Sequence, residues 1–292
     1  MRAVLPISAL VLSTFIWGLT FVIVKDALDE SDAFTFLALR FGLGAFACLL
    51  WAGRRTLERT TIANGLGLGL VLFAGYAFQT FGLEETTPSR SAFITGLAVI
   101  GVPFVSWALF KRAPSWPSVA GAVIAILGLA RLTGFGLDGG LSRGDLLTLA
   151  CALSYALHIA LTEKFAKTGA SVALVAVQLS TVAVLSAVCI PLGTPRFHPT
   201  PAYWAAVAAT GLIASALAIS IQTWAQARTS AVRAAVIFSL EPVIAVAASV
   251  ALGREHPGLA ELTGGALIVG GVLVSEVGAA WSRPPSLAPE ST

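Results

Sequence analysis

Long apolar stretches, separated by short segments that carry most of the charges, follow one another along the whole chain. Most of the stretches approach or exceed the about 20 residues that a helix needs to cross a bilayer. No strand-length alternation is visible, and lipid cannot satisfy free backbone groups, so each stretch is predicted to be a helix. The predicted spans are Ala3–Val24, 33–53, Thr60–Leu83, Ser91–Phe110, Ala113–Ala130, Leu146–Thr162, Thr168–Pro195, Phe197–Ala227, Ala234–Gly253 and Leu262–Ser275, with the last extendable to Trp281.

The composition agrees with an all-α polytopic membrane protein of ten helices. Of the 292 residues, 11 % are charged and 57 % are hydrophobic, whereas soluble domains have about 25 % charged residues. This excludes a cytosolic enzyme, a disordered protein and an ordinary secreted domain. The net charge of +3 is scattered along the chain, so nucleic acid is excluded as a partner and a lipid bilayer is the expected surrounding. The three cysteines lie in apolar runs without C-x-x-C spacing, which predicts neither disulfides nor a metal site.

The distribution of Lys and Arg predicts the orientation. If the N-terminus is cytoplasmic, the loops on the cytoplasmic side carry more positive residues than the loops on the opposite side, with Arg54, Arg55 and Arg59 in the loop after the second span. The positive-inside rule therefore places both termini in the cytoplasm, with residues 282–292 as a short cytoplasmic tail.

The two halves of the chain repeat each other. Gln79–Gly128 aligns with Gln222–Gly271 without a gap, and a second register places Trp17 over Tyr155 and Arg40 over Gln178. The identities include Gln79/Gln222, Arg90/Arg233, Pro114/Pro257, Gly121/Gly264 and Gly128/Gly271. We predict a five-helix repeat over residues 1–137 and a second over 138–281. Because five is odd, the second copy is inverted in the membrane, as in transporters whose central site alternates between two faces.

Short motifs resemble those of the EamA-type drug/metabolite transporters. They are Trp17-Gly18 followed by Lys25, then Arg40, and finally Ser239-Leu240-Glu241-Pro242 with Gly253, Glu255 and Gly264. The resemblance runs over nearly the whole chain and is strongest to the YddG-type exporters of aromatic amino acids. It implies a bacterial cytoplasmic (inner) membrane protein with five-plus-five helices that exports small metabolites.

Two polar helix faces are candidates for the wall of a central cavity. They share a spacing of three or four residues, and lipid would not tolerate their polar groups, so both should point inward. The first is Leu72, Tyr76, Gln79 and Leu83, and its counterpart is Ser215, Ile219, Gln222 and Gln226. The alternative is that they form interhelical hydrogen bonds that hold the bundle together.

Four further side chains are candidate substrate-binding groups. Trp17 lies deep in the first span rather than at the headgroup level where Trp is enriched, so it is either a ring-stacking wall or core packing. Thr95 would be central on the fourth span. Tyr155 and His158 belong to a polar stripe in an apolar helix and are expected to face the cavity. For His158, a proton relay and a buried structural histidine are the alternatives.

Arg40, Pro103, Glu241 and Pro242 are expected to serve structure or gating. We expect Arg40, deep in the second span, to bond backbone carbonyls or a helix end, with attraction of a substrate carboxylate as the alternative. An Arg40–Glu241 pair would require long reach. The two prolines each remove a mid-helix hydrogen bond and are predicted bending points.

The sequence thus predicts a secondary transporter, without cofactor or metal, that exports small amphiphilic metabolites by alternating access, aromatic or apolar amino acids first. Other cargoes, such as drugs or nucleotide precursors, remain alternatives. So do a pore or scaffold protein and an intramembrane enzyme that uses Ser154 and His158. Small-residue seams such as Gly65-x-x-x-Gly69 favour close packing within a monomer, with a dimer as the alternative.

The ten-span topology predicts the sidedness of two loops. Single cysteines introduced near Asp29 and near Thr56 should react with a membrane-impermeant reagent from outside and from inside, respectively. The parent chain, with its cysteines in apolar runs, is the control. The same sidedness at both positions would contradict the ten-span topology.

Overall fold

The computed structural model describes residues 4–53, 58–111, 113–133, 141–168, 171–229 and 231–281. These residues are helical apart from loops and one isolated β-bridge between Ser31 and Phe197. The helices are α1 Val4–Ala27, α2 Ala33–Ala52, α3 Arg59–Glu84, α4 Pro88–Phe110, α5 Trp116–Thr133, α6 Arg143–Phe165, α7 Ser171–Cys189, α8 Pro201–Ala208, α9 Ala218–Gln226, α10 Ala231–Phe238, α11 Glu241–Ala251 and α12 Leu259–Trp281. A π-helical segment, Ala209–Leu217, joins α8 to α9.

The outer surface of the described bundle is strongly apolar. Large side chains such as Trp51 and Trp116 are 67 % and 80 % exposed, and many exposed large apolar side chains are typical of a surface that contacts lipid. Seven described spans are long and apolar enough to cross a membrane: six correspond to α1, α2, α3, α4, α6 and α7, and the seventh, Pro201–Gln226, runs through α8, the π-helical segment and α9. Three shorter apolar stretches, Val119–Leu132, Glu241–Ala251 and Leu259–Val274, lie within α5, α11 and α12. The all-α membrane class is confirmed. The count of ten spans and the inverted repeat stay predictions.

Helix starts follow the capping residues of the sequence. Thr87 and Thr200 accept hydrogen bonds from the backbone N–H groups of Arg90 and Tyr203, and each precedes a proline in the first turn. A proline there removes an N–H that would have no helical partner. In the sequence, Thr87-Pro88 and Thr200-Pro201 have the pattern of an N-cap residue followed by a proline at the first helical position. At α6, Ser142 and Asp145 form a reciprocal capping box.

The ninth predicted span is not one continuous helix, and this corrects the expectation for Pro242. Helix α10 ends at Phe238, Ser239 and Leu240 form a turn, and α11 begins at Glu241. Pro242 therefore lies in a first turn, where its missing N–H leaves no helical hydrogen bond unmade. Pro103, in contrast, lies inside α4 and is buried, as expected for a mid-helix proline.

The main helix contacts join the two halves of the chain. Helix α5 packs on α12, α2 on α7, α3 on α6 and α1 on both α9 and α11. A partly buried bidentate ion pair fixes α4 against α6, with Arg90 Nε and Nη2 at 2.7 and 2.6 Å from the Asp145 carboxylate oxygens. The Gly65-x-x-x-Gly69 seam packs on Val177 and Thr181 of α7, so it is used within the chain.

Glycines bring α5 and α12 together at backbone distance. A Cβ on Gly128 would lie 2.8 Å from the Gly264 carbonyl oxygen, and one on Gly271 would lie 2.5 Å from that of Gly121. Gly121 faces Gly271 and Gly128 faces Gly264, so the two helices run antiparallel. The repeat alignment pairs Gly121 with Gly264 and Gly128 with Gly271, so exchanging the halves converts one contact into the other.

The contacts of α1 with α11 and of α4 with α6 also correspond to each other when the two halves are exchanged. A Cβ on Gly18 of α1 would lie 2.6 Å from Ile244 Cγ2 of α11, and one on Gly101 of α4 would lie 3.0 Å from the Ala156 Cβ of α6. The two repeat registers place Gly18 over Ala156 and Gly101 over Ile244. The contact of α1 with α11 is therefore the counterpart of the contact of α6 with α4.

The α5–α12 seam predicts different outcomes for neighbouring glycines. Gly271→Leu should destabilise the protein by ~1–3 kcal/mol, because overpacking forces the two backbones apart. Gly270→Leu is the matched control, since nothing lies within 4 Å of a Cβ at that position. Thermal unfolding and the monodisperse fraction in detergent measure the difference. Equal effects of the two substitutions would show that the seam is not tightly packed.

Candidate functional site

A central cavity lies between helices from both halves of the chain. It is lined by residues of α1, α2, α3, α4, α6, α9, α10 and α11. The volume open to the centres of water molecules is about 80 Å³, enough for several waters at about 10–15 Å³ each. All seven residues predicted to bind substrate line it, namely Trp17, Tyr76, Gln79, Thr95, Tyr155, His158 and Gln222.

Tyrosines 76 and 155 form one aromatic wall of the cavity. Their rings meet edge to face at a centroid distance of 5.5 Å, and Phe41 packs behind Tyr76 at 4.6 Å. Gly75 makes room for the Tyr155 ring, since a Cβ there would clash with it. Edge-to-face packing favours one orientation of each ring, so this wall has a defined shape.

Trp17 forms another aromatic part of the cavity wall. Its indole Nε1 donates a hydrogen bond to the Ala214 carbonyl oxygen at 2.9 Å. Its ring contacts Phe238 edge to face at 5.5 Å. Ala214 belongs to the π-helical segment, whose altered hydrogen bonding is typical of functional positions in helices. The indole is thus held at its polar edge while the ring lines the cavity.

Two glutamines at equivalent positions of the repeats are each fixed at one end of the amide. Gln79 Oε1 accepts a hydrogen bond from the Tyr155 hydroxyl at 3.1 Å. Gln222 Nε2 donates to Gln226 Oε1 at 2.9 Å, and Gln226 Nε2 donates to the Ile159 carbonyl oxygen at 3.3 Å. The other amide atoms of Gln79 and Gln222 have no partner among the described residues, so they are available to a ligand.

His158 is 3 % exposed, and its Nε2 shares a hydrogen bond of 2.9 Å with Gln178 Oε1. Ser154 instead donates to the Ala150 carbonyl oxygen at 2.9 Å. The serine and the histidine therefore do not form the hydrogen-bonded pair that nucleophilic catalysis needs. No group of three or more His, Cys, Asp or Glu side chains in the described part of the chain could hold a metal ion.

Arg40 is a cavity residue, 2 % exposed. Its Nε donates to the Ser215 hydroxyl at 3.0 Å, so its partner is a side chain of the π-helical segment and not the expected backbone carbonyl. The guanidinium carbon lies 4.8 Å from the Tyr76 ring centroid and 5.1 Å from that of Phe41. Such placement stabilises the cation and holds it in the cavity wall.

The other candidates divide between the lining and its support. Glu241 lines the cavity, and Thr95 lines it with a hydroxyl that has no hydrogen-bond partner among the described residues. Pro103 and Pro242 do not line the cavity. Pro242 packs against Gly96, which does line it. Phe238 was missed by the sequence analysis. The repeat alignment places it over Thr95, and that signal would have found it.

A smaller polar pocket adjoins the cavity at the end of the bundle where α1 and α3 terminate. Val24 and Leu83 line the cavity, and the next residues, Lys25 and Glu84, line the polar pocket together with Arg196. Lys25 Nζ donates to the Leu83 carbonyl oxygen at 2.6 Å, which closes the last turn of α3.

Backbone bonds also join two loops at this end, since Asp32 N–H donates to the Arg196 oxygen at 2.9 Å and His198 N–H to the Glu30 oxygen at 2.8 Å. These bonds tie the loop between α1 and α2 to the loop before α8.

The model of the EamA-like transporter family matches residues 4–134 and again residues 142–276. The chain belongs to this family. It is therefore a multi-pass membrane protein of a transporter family, and the resemblance found in the sequence is confirmed.

Its relatives include an uncharacterized transporter of Archaeoglobus fulgidus, 34 % identical over 84 % of this chain and 77 % of that protein. The aromatic amino acid exporter YddG of Ancylobacter novellus is 26 % identical over 89 % of this chain and 93 % of its own. A probable terminal-alkyne amino-acid exporter of Streptantibioticus cattleyicolor is 27 % identical over 91 % of each chain. A solved crystal structure with a TM-score of 0.71 and 24 % identity covers 95 % of this chain and 99 % of its own, which shows the fold.

Substitution of the cavity glutamines should lower transport without lowering the yield of folded protein. Gln79→Leu and Gln222→Leu should each lower transport several-fold per folded molecule, because Leu cannot hydrogen-bond a ligand. Gln226→Leu is the contrasting variant, since Gln226 is fully buried outside the lining. It should lower folded yield. Flux in liposomes and yield in detergent separate the two effects, and misfolding of all three variants would contradict a ligand-binding role.

Proposed function

We propose that the protein is a secondary transporter that exports small amphiphilic metabolites, aromatic or apolar amino acids first, by alternating access through the central cavity. The observation that carries this proposal is the lining itself. Flat aromatic rings and partly unoccupied amide and hydroxyl groups, contributed by both halves of the chain, converge on one space. Ligand sites combine an apolar lining with a few placed polar groups in this way.

The chemistry of the cavity assigns two sets of groups. Trp17, Tyr76 and Tyr155 pack against the apolar side chain of the cargo. Gln79, Thr95, His158 and Gln222 supply hydrogen bonds to its polar part. Relatives named as an aromatic amino acid exporter and a probable amino-acid exporter support amino acids as the cargo class.

Reciprocal contacts support alternating access. The glycine contacts of α5 with α12, and the contacts of α1 with α11 and α6 with α4, exchange with each other when the two halves are exchanged. The family model also matches twice, once in each half. Two similar units around one site can rock between two equivalent arrangements. We propose the repeats at residues 1–137 and 138–281, with both termini in the cytoplasm of a bacterium.

The cargo crosses the membrane chemically unchanged in this proposal, and no cofactor takes part. Purified protein in liposomes should move labelled phenylalanine, and chromatography of the transported material should recover phenylalanine. Recovery of a converted product would show that the protein is an intramembrane enzyme and not a transporter. A flux that does not saturate with substrate concentration would show that it is a pore.

Trp17 predicts a change in selectivity. Trp17→Ala should lower flux of phenylalanine and tryptophan more than flux of alanine or threonine, since only the larger cargoes contact the ring. An aromatic contact is worth ~0.5–1.5 kcal/mol beyond burial, so the extra loss is about two- to tenfold. Trp17→Phe keeps a ring at this position and is the matched control. Equal loss for all cargoes would assign Trp17 to packing.

His158 predicts the opposite pattern. His158→Ala should reduce flux of all amino acids alike, because its hydrogen bonds reach the part that every amino acid shares. The same panel of liposome fluxes measures this effect. Unchanged flux would remove His158 from the site.

A further inference from the structure

We propose that Arg40 and Glu241 bind the opposite ends of a zwitterion, with the cargo carboxylate on Arg40 and the cargo ammonium group on Glu241. This inference rests on the proposed function and specifies its substrate class. It requires a free amino group and a free carboxylate on the same molecule. It gives both residues a role in recognition that goes beyond structure or gating.

The cavity is lined by one guanidinium group and one carboxyl group that are not paired with each other. Among the residues that the structure describes, Arg40 and Glu241 are the only Lys, Arg, Asp or Glu side chains in its lining. The ion pairs found among the described residues are Arg90–Asp145, Arg143–Glu85, Lys167–Glu163 and Arg254–Asp26. Neither cavity residue takes part in one. An uncompensated charge within a membrane protein is costly, so each invites a counter-charge from the cargo.

Arg40 is held in a way that leaves its terminal nitrogens available. Its Nε is occupied by the Ser215 hydroxyl, and the guanidinium lies beside the Tyr76 ring. The terminal Nη1 and Nη2 groups have no acceptor among the described residues. A guanidinium fork is the side-chain group best suited to a planar carboxylate, and here it lies beside an aromatic wall.

Glu241 owes its position to the break between α10 and α11. It is the first residue of α11, after the turn at Ser239 and Leu240, so its carboxylate lies in the first turn of a helix. The positive end of a helix dipole favours an anion there. No described residue donates a hydrogen bond to this carboxylate, and it faces the same cavity as Arg40.

A cavity with one charge of each sign selects against cargo with only one. An amine without a carboxylate would leave Arg40 unpaired, and a carboxylic acid without an amine would leave Glu241 unpaired. Leaving a buried charge without its partner is more costly than lacking a neutral contact. Only the zwitterion compensates both charges. The aromatic walls then pack against its side chain and select for it.

Competition for phenylalanine flux in proteoliposomes tests this inference. Phenethylamine lacks the carboxylate and 3-phenylpropionate lacks the ammonium group. Each should compete with labelled phenylalanine at least about tenfold more weakly than unlabelled phenylalanine does. Glu241→Gln should weaken competition by unlabelled phenylalanine but not competition by 3-phenylpropionate. Arg40→Gln should weaken competition by unlabelled phenylalanine but not competition by phenethylamine.

Two control variants change charge outside the cavity. Glu84→Gln removes a carboxylate from the adjoining polar pocket, and Arg143→Gln removes an exposed cation. Both should keep the wild-type order of competitors. If Arg40→Gln fails to fold, Arg40→Lys is the second variant, because it keeps the positive charge but not the paired guanidinium nitrogens. It should weaken competition by phenylalanine more than competition by phenethylamine.

The outcomes separate this inference from the function on which it rests. If no amino acid moves, the proposed function is wrong. If phenylalanine moves but the two analogues compete as well as phenylalanine, only the zwitterion site is wrong. If Glu241→Gln weakens competition by phenylalanine, phenethylamine and 3-phenylpropionate by the same factor, the zwitterion site is also wrong. Ligand-induced thermal shifts of the purified protein measure binding of the same compounds independently of flux.

Discussion

The hydrocarbon of a bilayer offers no hydrogen-bond partner, so every polar group of a spanning helix must find one within the protein. In this chain the constraint turns Tyr76, Gln79, Tyr155 and Gln222 away from the apolar surface and toward one cavity. Where the polar faces of several helices meet without filling the space, a cavity results. The same requirement that stabilises the bundle thus concentrates polar side chains at the cavity.

Glycines allow close contacts between helices of the two halves. Glycines 121, 128, 264 and 271 bring the α5 and α12 backbones together. Gly18 and Gly101 do the same for the pairs α1–α11 and α4–α6, although with different neighbours. These contacts are made between the halves and have counterparts under exchange of the halves.

Irregular backbone supplies what regular helices do not. The π-helical segment presents the Ala214 carbonyl oxygen to Trp17 and the Ser215 hydroxyl to Arg40. The break after Phe238 places a new helix start, with Glu241, in the lining. Non-helical backbone at membrane depth is tolerated where it is buried in protein or lines a cavity. Both irregularities occur next to the charged residues of the site.

The sequence by itself determined the membrane class, the helix starts at Thr87 and Thr200 and the inward face of α3. Charge spacing and helical periodicity are local properties, so they are readable without a fold. Depth in the first span also marked Trp17. The repeat alignment also contains the signal for Phe238, because it pairs this residue with Thr95.

Tertiary structure alone decided how these faces combine. Nothing local to Arg40 indicates that its partner is Ser215, because that contact depends on the crossing of α2 with the π-helical segment. Glu241 looks mid-helical from hydrophobicity, since the two short helices on either side of the break are equally apolar. That Arg40 and Glu241 share a cavity without pairing depends on the relative placement of α2 and α11. Helical periodicity says which side of a helix is polar, but only packing says what that side meets.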